Sequence, residues 1–83
     1  MNPSQLLKSY RGRRLKSQED IAKILDVSRQ TYTTWENNPI SVETNVLFNI
    51  LIAIGVDESE IHDFFNALEQ DYLSYKENNK ECE

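Results

Sequence analysis

Apolar residues recur along the chain at the spacing of helices, and no stretch alternates with the two-residue period of a half-buried strand. Five segments are predicted. The first begins near Pro3, a residue suited to the opening turn of a helix, and shows Leu6, Leu7 and Tyr10 on one face. Gly12 is expected to weaken or end it, with Arg13, Arg14 and Lys16 following as a basic link. The second is SQEDIAKIL, where Ser17 with Asp20 three residues on resembles a capping box and Ile21, Ala22 and Leu25 form the inner face. Asp26 follows at a tight turn, and aspartate is among the few residues that tolerate left-handed backbone there. The third, SRQTYTTWEN, opens with Ser28 as N-cap and ends at the turn-forming Asn37-Asn38-Pro39. The fourth, SVETNVLFNILIAIG, is expected to be capped by Ser41 and closed by Gly55. It is apolar nearly all round, so it should lie at the centre of a bundle or meet a partner with its second face. The fifth starts near Asp57 or Glu58 and runs to about Glu77. On it Ile61, Phe64, Phe65, Leu68, Tyr72 and Tyr75 fall on one stripe. The closing KENNKECE is polar and expected to fray.

Length narrows the picture to one domain with a small core, worth only a few kcal/mol of net stability, so folding can be coupled to dimerisation or to a ligand. The 83 residues contain one cysteine, Cys82, which excludes an internal disulfide or a cysteine zinc site. No leader-like apolar run and no run of ~18–20 apolar residues occurs, which predicts a soluble, cytoplasmic protein without membrane contact. The net charge of −5 argues at first against nucleic acid, but its distribution is uneven. Residues 1–56 hold seven Lys and Arg against five acids, whereas residues 57–83 hold two lysines against nine. The chain is a mildly basic body with an acidic end.

Enzyme chemistry finds little support. The one histidine, His62, lies within the amphipathic fifth segment and reads as a surface or boundary residue, and no phosphate loop, nucleophile elbow or metal-ligand spacing occurs. No cofactor is expected. The second and third segments, joined by a tight turn at Asp26-Val27, make a helix-turn-helix. Ala22 is small where the two helices must cross, and Val27 plugs the turn. With Arg29 at zero on a helical wheel, Thr33 falls at ~40°, Gln30 at ~100° and Thr34 at ~140°, while Tyr32 and Trp35 fall near ~300° and ~240°. One face is aromatic and buried. The other presents a guanidinium, a carboxamide and two hydroxyls, the groups that bridge guanine or adenine edges or touch the thymine methyl in the major groove. A merely solvated face would more often carry Lys–Glu pairs.

The stretch SQEDIAKILDVSRQTYTTWEN resembles the helix-turn-helix of phage Cro/CI-type repressors, the XRE-like regulators, with Gln18, Ile21, Ala22, Leu25, Val27, Ser28, Thr31, Trp35 and Glu36 in register. SVETNVLFNILIAIGV is similar to that family's fourth helix, Arg11 stands where the family has an arginine, and the likeness covers roughly residues 4–66. It implies an all-α, five-helix lambda-repressor-like bundle with an extended C-terminal helix: one domain over residues 1–77, the motif at 18–36, the last helix at about 58–77 and an acidic tail at 78–83. It implies that Gln18 contacts a DNA phosphate, that Ser28, Arg29, Gln30, Thr33 and Thr34 face the bases, and that Arg11 and Glu36 form a structural ion pair. Three departures stand out. Asp26 and Asn38 replace glycines of the pattern, and both are expected to take left-handed backbone. The loop from Asn37 to Thr44 has no Lys or Arg to meet phosphates. Tyr32 is bulkier than the family's isoleucine and is expected to push its hydroxyl to the surface. Attraction to phosphate then rests on Lys8, Arg11, Arg13, Arg14, Lys16 and Lys23.

The resulting expectation is a sequence-specific transcriptional regulator, a small repressor of phage, plasmid or mobile-element type. It would bind a pseudo-palindromic double-stranded operator as a homodimer, with Leu68, Tyr72, Leu73 and Tyr75 as the dimer surface. The alternative is an antitoxin-like or protein-interaction module that uses the acidic C-terminal helix to hold a protein partner.

Overall fold

Local hydrogen-bond chemistry sets where the helices begin. Asn2 and Gln5 cap each other reciprocally, the Gln5 amide donating to Asn2 Oδ1 at 2.8 Å and the Asn2 amide to Gln5 Oε1 at 2.9 Å, and α1 (Pro3–Arg13) follows with proline in its first turn. Ser17 and Asp20 do the same for α2 (Gln18–Leu25). Ser28 Oγ accepts the Thr31 amide at 3.1 Å to open α3 (Arg29–Asn37). A 3₁₀ turn (Pro39–Ser41) leads to α4 (Thr44–Ile54), and α5 (Glu58–Asn78) starts from a box in which Asp57 and Glu60 exchange side-chain bonds to each other's amides. This computed structural model describes residues 1–78, without the side chains of residues 75, 77 and 78. Among the described residues there is no strand.

Three boundary expectations change. Gly12 does not end α1, which continues to Arg13, and a Cβ at Gly12 would meet nothing within 4 Å. Ser41 does not cap α4: it lies in the 3₁₀ turn, where its hydroxyl donates to the Asn38 carbonyl at 2.9 Å, and α4 starts after Glu43 with no side-chain cap bond. Pro39 explains the shift, because a proline in the first position opens a short turn of its own before the longer helix. The same proline decides Asn38, whose φ of −140° is not left-handed, since a residue before proline is pushed toward extended backbone. Asp26, in contrast, is left-handed as expected, with φ 58° and ψ 46°. Gly55 closes α4 at φ 91°, where glycine avoids the Cβ clash. Leu15, 92% exposed, has φ 55°: the left-handed turn lets its amide and that of Lys16 bond the carbonyls of Gly12 and Arg11 and close α1, at the steric cost of its Cβ.

The core is built around α4, which contributes Leu47, Ile50, Leu51, Ala53 and Ile54. Leu7 and Tyr10 enter from α1, Ile21 and Ala22 from α2, Tyr32 from α3 and Phe64 from α5. The second face of α4 stays open, with Ile52 71% and Phe48 42% exposed, although Phe48 stacks on Phe65 at 4.8 Å between ring centroids. Leu25 and Trp35 pack on the core from the two motif helices and Val27 from the turn between them, and Leu68 does so from α5. Tyr72 and Leu73 are each about half exposed, and Tyr72 borders an open groove with Ile40, Val42 and Leu68.

The basic link after α1 is taken up inside the fold. Lys16 Nζ donates to the carbonyls of Ala53 and Ile54 at 3.1 and 3.2 Å, and Arg14 Nε to that of Gly55 at 3.0 Å. These cations satisfy carbonyls that the end of α4 leaves without helical partners, and they face the negative end of its dipole. Arg14 also pairs with Glu60, as does Arg13 at 3.2 Å, and the Tyr10 hydroxyl donates to the Glu60 carbonyl at 3.1 Å. The cluster ties α1, α4 and the first turn of α5 together.

Replacing Leu15 by glycine should raise stability by about 1 kcal/mol, because it removes left-handed strain. For a domain of this size, that corresponds to a melting temperature higher by ~4–8 °C. A thermal melt followed by circular dichroism checks it, and no gain would mean that the backbone at Leu15 is relaxed.

Candidate nucleic-acid interface

The outward face of α3 depends on how the helix is mounted. Tyr32 and Glu36 lie one turn apart on its inner side, both with no exposed surface. Glu36 is the only carboxylate among the largest fully buried side chains, and its two oxygens are saturated by donors. Arg11 grips it from α1 with Nε to Oε2 at 2.9 Å and Nη2 to Oε1 at 3.2 Å. Gln18 Nε2 donates to Oε1 at 3.0 Å from the first turn of α2, and the Tyr32 hydroxyl donates to Oε2 at 2.7 Å. The Arg11–Glu36 pair is thus present and bidentate, and it is one part of a larger network joining α1, α2 and α3. Arg11 Nη1 also donates to the Lys16 carbonyl at 2.9 Å.

These contacts set the ionisation of the group. Burial alone would raise the Glu36 pKa, but the hydrogen bonds from Arg11, Gln18 and Tyr32 outweigh it and hold the carboxyl below its ordinary value. Arg11 is pushed up mainly by its bond to Glu36. Tyr32 is pushed well above the ordinary tyrosine range, first by burial and then by its bond to Glu36, so it remains a hydroxyl donor. The expectation that this hydroxyl reaches the surface is therefore wrong: the ring points inward and finds a carboxylate acceptor one turn away.

The outward side divides. Arg29, Gln30 and Thr34 are exposed, and the Thr34 hydroxyl donates back to the Gln30 carbonyl at 3.0 Å. Among the described residues neither Arg29 nor Gln30 makes a side-chain hydrogen bond. Ser28 is exposed but occupied, accepting the Thr31 amide and donating to Thr31 Oγ1 at 2.9 Å. Thr33 is half-buried, and its hydroxyl donates to Gln18 Oε1 at 3.1 Å. In this structure Thr33 and Gln18 satisfy each other instead of both facing outward. An open depression beside the start of α2 is lined by Arg11, Ser17, Gln18, Glu19 and Arg29, which sets the family-implied phosphate residue beside one of the base-facing ones.

Of the cations assigned to phosphate, Arg11 is committed to Glu36, and Arg13, Arg14 and Lys16 to Glu60 and the end of α4. Lys8 and Lys23 are exposed, Lys23 lying 3.8 Å from Glu19. Sequence reasoning did not find the Tyr32–Glu36 bond, whose only signal is the four-residue spacing, nor the capping of α4 by Arg14 and Lys16, which depends on a contact ~40 residues away in the chain. Of the residues assigned to dimerisation, Leu68 is partly buried against the core, Tyr72 and Leu73 stand free of it, and the Tyr75 side chain lies outside the described residues. His62 is a surface residue 3.9 Å from Glu58.

A family model described as helix-turn-helix matches residues 7–61, which holds all of α1's grip on Glu36, both motif helices and α4. The chain belongs to this helix-turn-helix family, the XRE-type regulators. It is a DNA-binding transcription regulator, and the family is not one of enzymes. No curated protein and no solved structure gives a significant match to the chain. No helix among the described residues is long and apolar enough to cross a membrane. The all-helical bundle and the helix-turn-helix at residues 18–36 agree with the family expectation.

The network makes two measurable demands. Arg11→Met leaves a buried carboxylate without its cation and should cost about 3 kcal/mol or more, whereas adding Glu36→Leu should recover part of that loss. Urea unfolding of both variants would reveal independent contributions if the double variant were the weaker. The second demand concerns acid. Because Glu36 and Glu60 both have folded pKa values below their unfolded ones, their contribution is complete above the ordinary carboxylate range near ~4.3 and is lost as pH falls through the folded values. The melting temperature should therefore drop as pH falls below about 4, and Glu36→Gln should flatten part of that drop.

Proposed function

We propose that the chain is a sequence-specific transcriptional repressor of the small phage, plasmid or mobile-element kind, cytoplasmic, acting as one domain over residues 1–77. It reads the major groove of double-stranded DNA with α3. The observation that carries this reading is the free, exposed pair Arg29 and Gln30 on a helix whose other face is fixed by buried hydrogen bonds. Arg29 suits the two acceptors of guanine and Gln30 the donor and acceptor of adenine. Thr34 adds a methyl beside them, and Ser28 and Thr33 flank the edge. Gln18, at the N-terminal turn of α2, is the phosphate contact that the family resemblance implies, its remaining N–H being the group left for it, with Lys23 and Lys8 adding charge.

One recognition helix covers half a site, so the functional unit is a homodimer on a pseudo-palindromic operator. The half-exposed Tyr72 and Leu73 and the partly buried Leu68 support α5 as the dimer surface. A second reading, in which α5 holds a different protein, is favoured by the exposed Asp63, Glu69 and Asp71 on the same helix and by the internal use of Arg13, Arg14 and Lys16.

A gel shift on the DNA flanking its own gene tests the reading. Binding should weaken with salt, with a log–log slope of about −3 per subunit if three phosphates are neutralised. Arg29→Ala and Gln30→Ala should each relax preference at one base position by about 1–3 kcal/mol. Binding to random DNA alone, or none at low salt, would sink it. Sedimentation of Tyr72→Glu with Tyr75→Glu should show half the wild-type mass, and an unchanged mass would remove α5 from the dimer surface.

A further inference from the structure

Tyr32 stands where the resemblance calls for an aliphatic residue, and its hydroxyl is the one donor to Glu36 that comes from α3 itself. Both oxygens of Glu36 hold two donors: Arg11 Nε and Tyr32 on Oε2, Arg11 Nη2 and Gln18 on Oε1. Bound in this way the carboxylate has one rotational setting. Because the ionised carboxylate only accepts, the Gln18 NH2 group faces it, its place fixed by where Oε1 is held, and the Gln18 oxygen turns to the Thr33 hydroxyl at 3.1 Å. The hydrogen bonds thus run from the buried middle of α3, through α1 and α2, back to Thr33 at the border of its exposed face. An aliphatic side chain would fill the same space but leave Oε2 with Arg11 alone.

We infer that Tyr32 is a positioning residue for base reading: its hydroxyl orients Glu36, which sets the Gln18 amide and holds Thr33 turned inward beside the free Arg29 and Gln30. This inference rests on the proposed reading of α3. It makes base discrimination, and not only stability, depend on one buried hydroxyl. Thr33 then offers the bases its methyl, because its hydroxyl is engaged by Gln18.

The test begins with selection of a preferred duplex from a randomised pool by the full chain, followed by affinities for that duplex and a scrambled one. Tyr32→Phe and Tyr32→Leu are compared with wild type well below their melting temperatures, with helicity checked by circular dichroism. Both variants should lose about tenfold in the ratio of the two affinities, while binding to the scrambled duplex stays within about twofold. A merely structural hydroxyl would lower the melting temperature and leave the ratio unchanged, and that result overturns the inference while sparing the reading of α3. Failure of wild type to enrich any sequence overturns both. Should the variants not fold, NMR of wild type decides. A Tyr32 hydroxyl proton in slow exchange and a single shifted Gln18 side-chain amide pair support the network; a fast-exchanging hydroxyl with a free-rotating amide overturns it.

Discussion

A carboxylate with no contact to water holds the recognition helix in place. An ionised group at that depth is costly unless its hydrogen bonds are met, and Glu36 has four, from three helices. The consequence is geometric. An apolar contact between α1 and α3 could slide by a rotamer with little loss, but a bidentate guanidinium–carboxylate pair has one good arrangement. The position of α3 relative to α1 and α2 is therefore set by direction as well as by volume, and the edge carrying Arg29 and Gln30 inherits that definition.

A second polar cluster does the same work at the C-terminal end of α4. Lys16 and Arg14 meet the last carbonyls of that helix, and Glu60 collects Arg13 and Arg14 while capping α5. The Arg11 bond to the Lys16 carbonyl links the two clusters, and the apolar core beside them is dominated by α4. A small core tolerates many packings of similar energy, and the two polar clusters select among them. Lys16 and Arg14, which look available for DNA, are thereby engaged by the end of α4 and by Glu60, while Arg13 pairs with Glu60 from an exposed position.

Much of this was legible in the chain because local chemistry decided it. Ser17 with Asp20, Ser28, Asp26 and Gly55 each act within a few residues, and each took the expected role. The Arg11–Glu36 pair was reached only through family resemblance, since the two lie 25 positions apart. Ser41 and Asn38 were misjudged because Pro39 restricts the residue before it and opens the 3₁₀ turn that takes in Ser41. Tyr32 was misjudged because a bulky polar residue on an inner face has two outcomes, and the choice depended on whether an acceptor was buried nearby. Arg13, Arg14 and Lys16 could not be assigned from sequence at all, because a cation's partner is whatever the fold brings to it. On the site itself, the exposed Arg29 and Gln30 were apparent from helical spacing alone, whereas the inward turn of Thr33 needed the Gln18 side chain to be seen.

The internal use of those cations has a consequence for how such a regulator searches. A genome offers millions of wrong sites for each correct one, and a protein with a broad cationic surface spends most of its time on them. Here the acidic excess of α5 and the neutralised link after α1 leave little long-range pull toward phosphate. On the proposed reading, few molecules would be held on irrelevant DNA, and occupancy of the right site would depend on short-range fit more than on local protein excess. The cost would fall on speed: without a strong field to gather the chain to the duplex, repeated brief encounters would replace prolonged sliding.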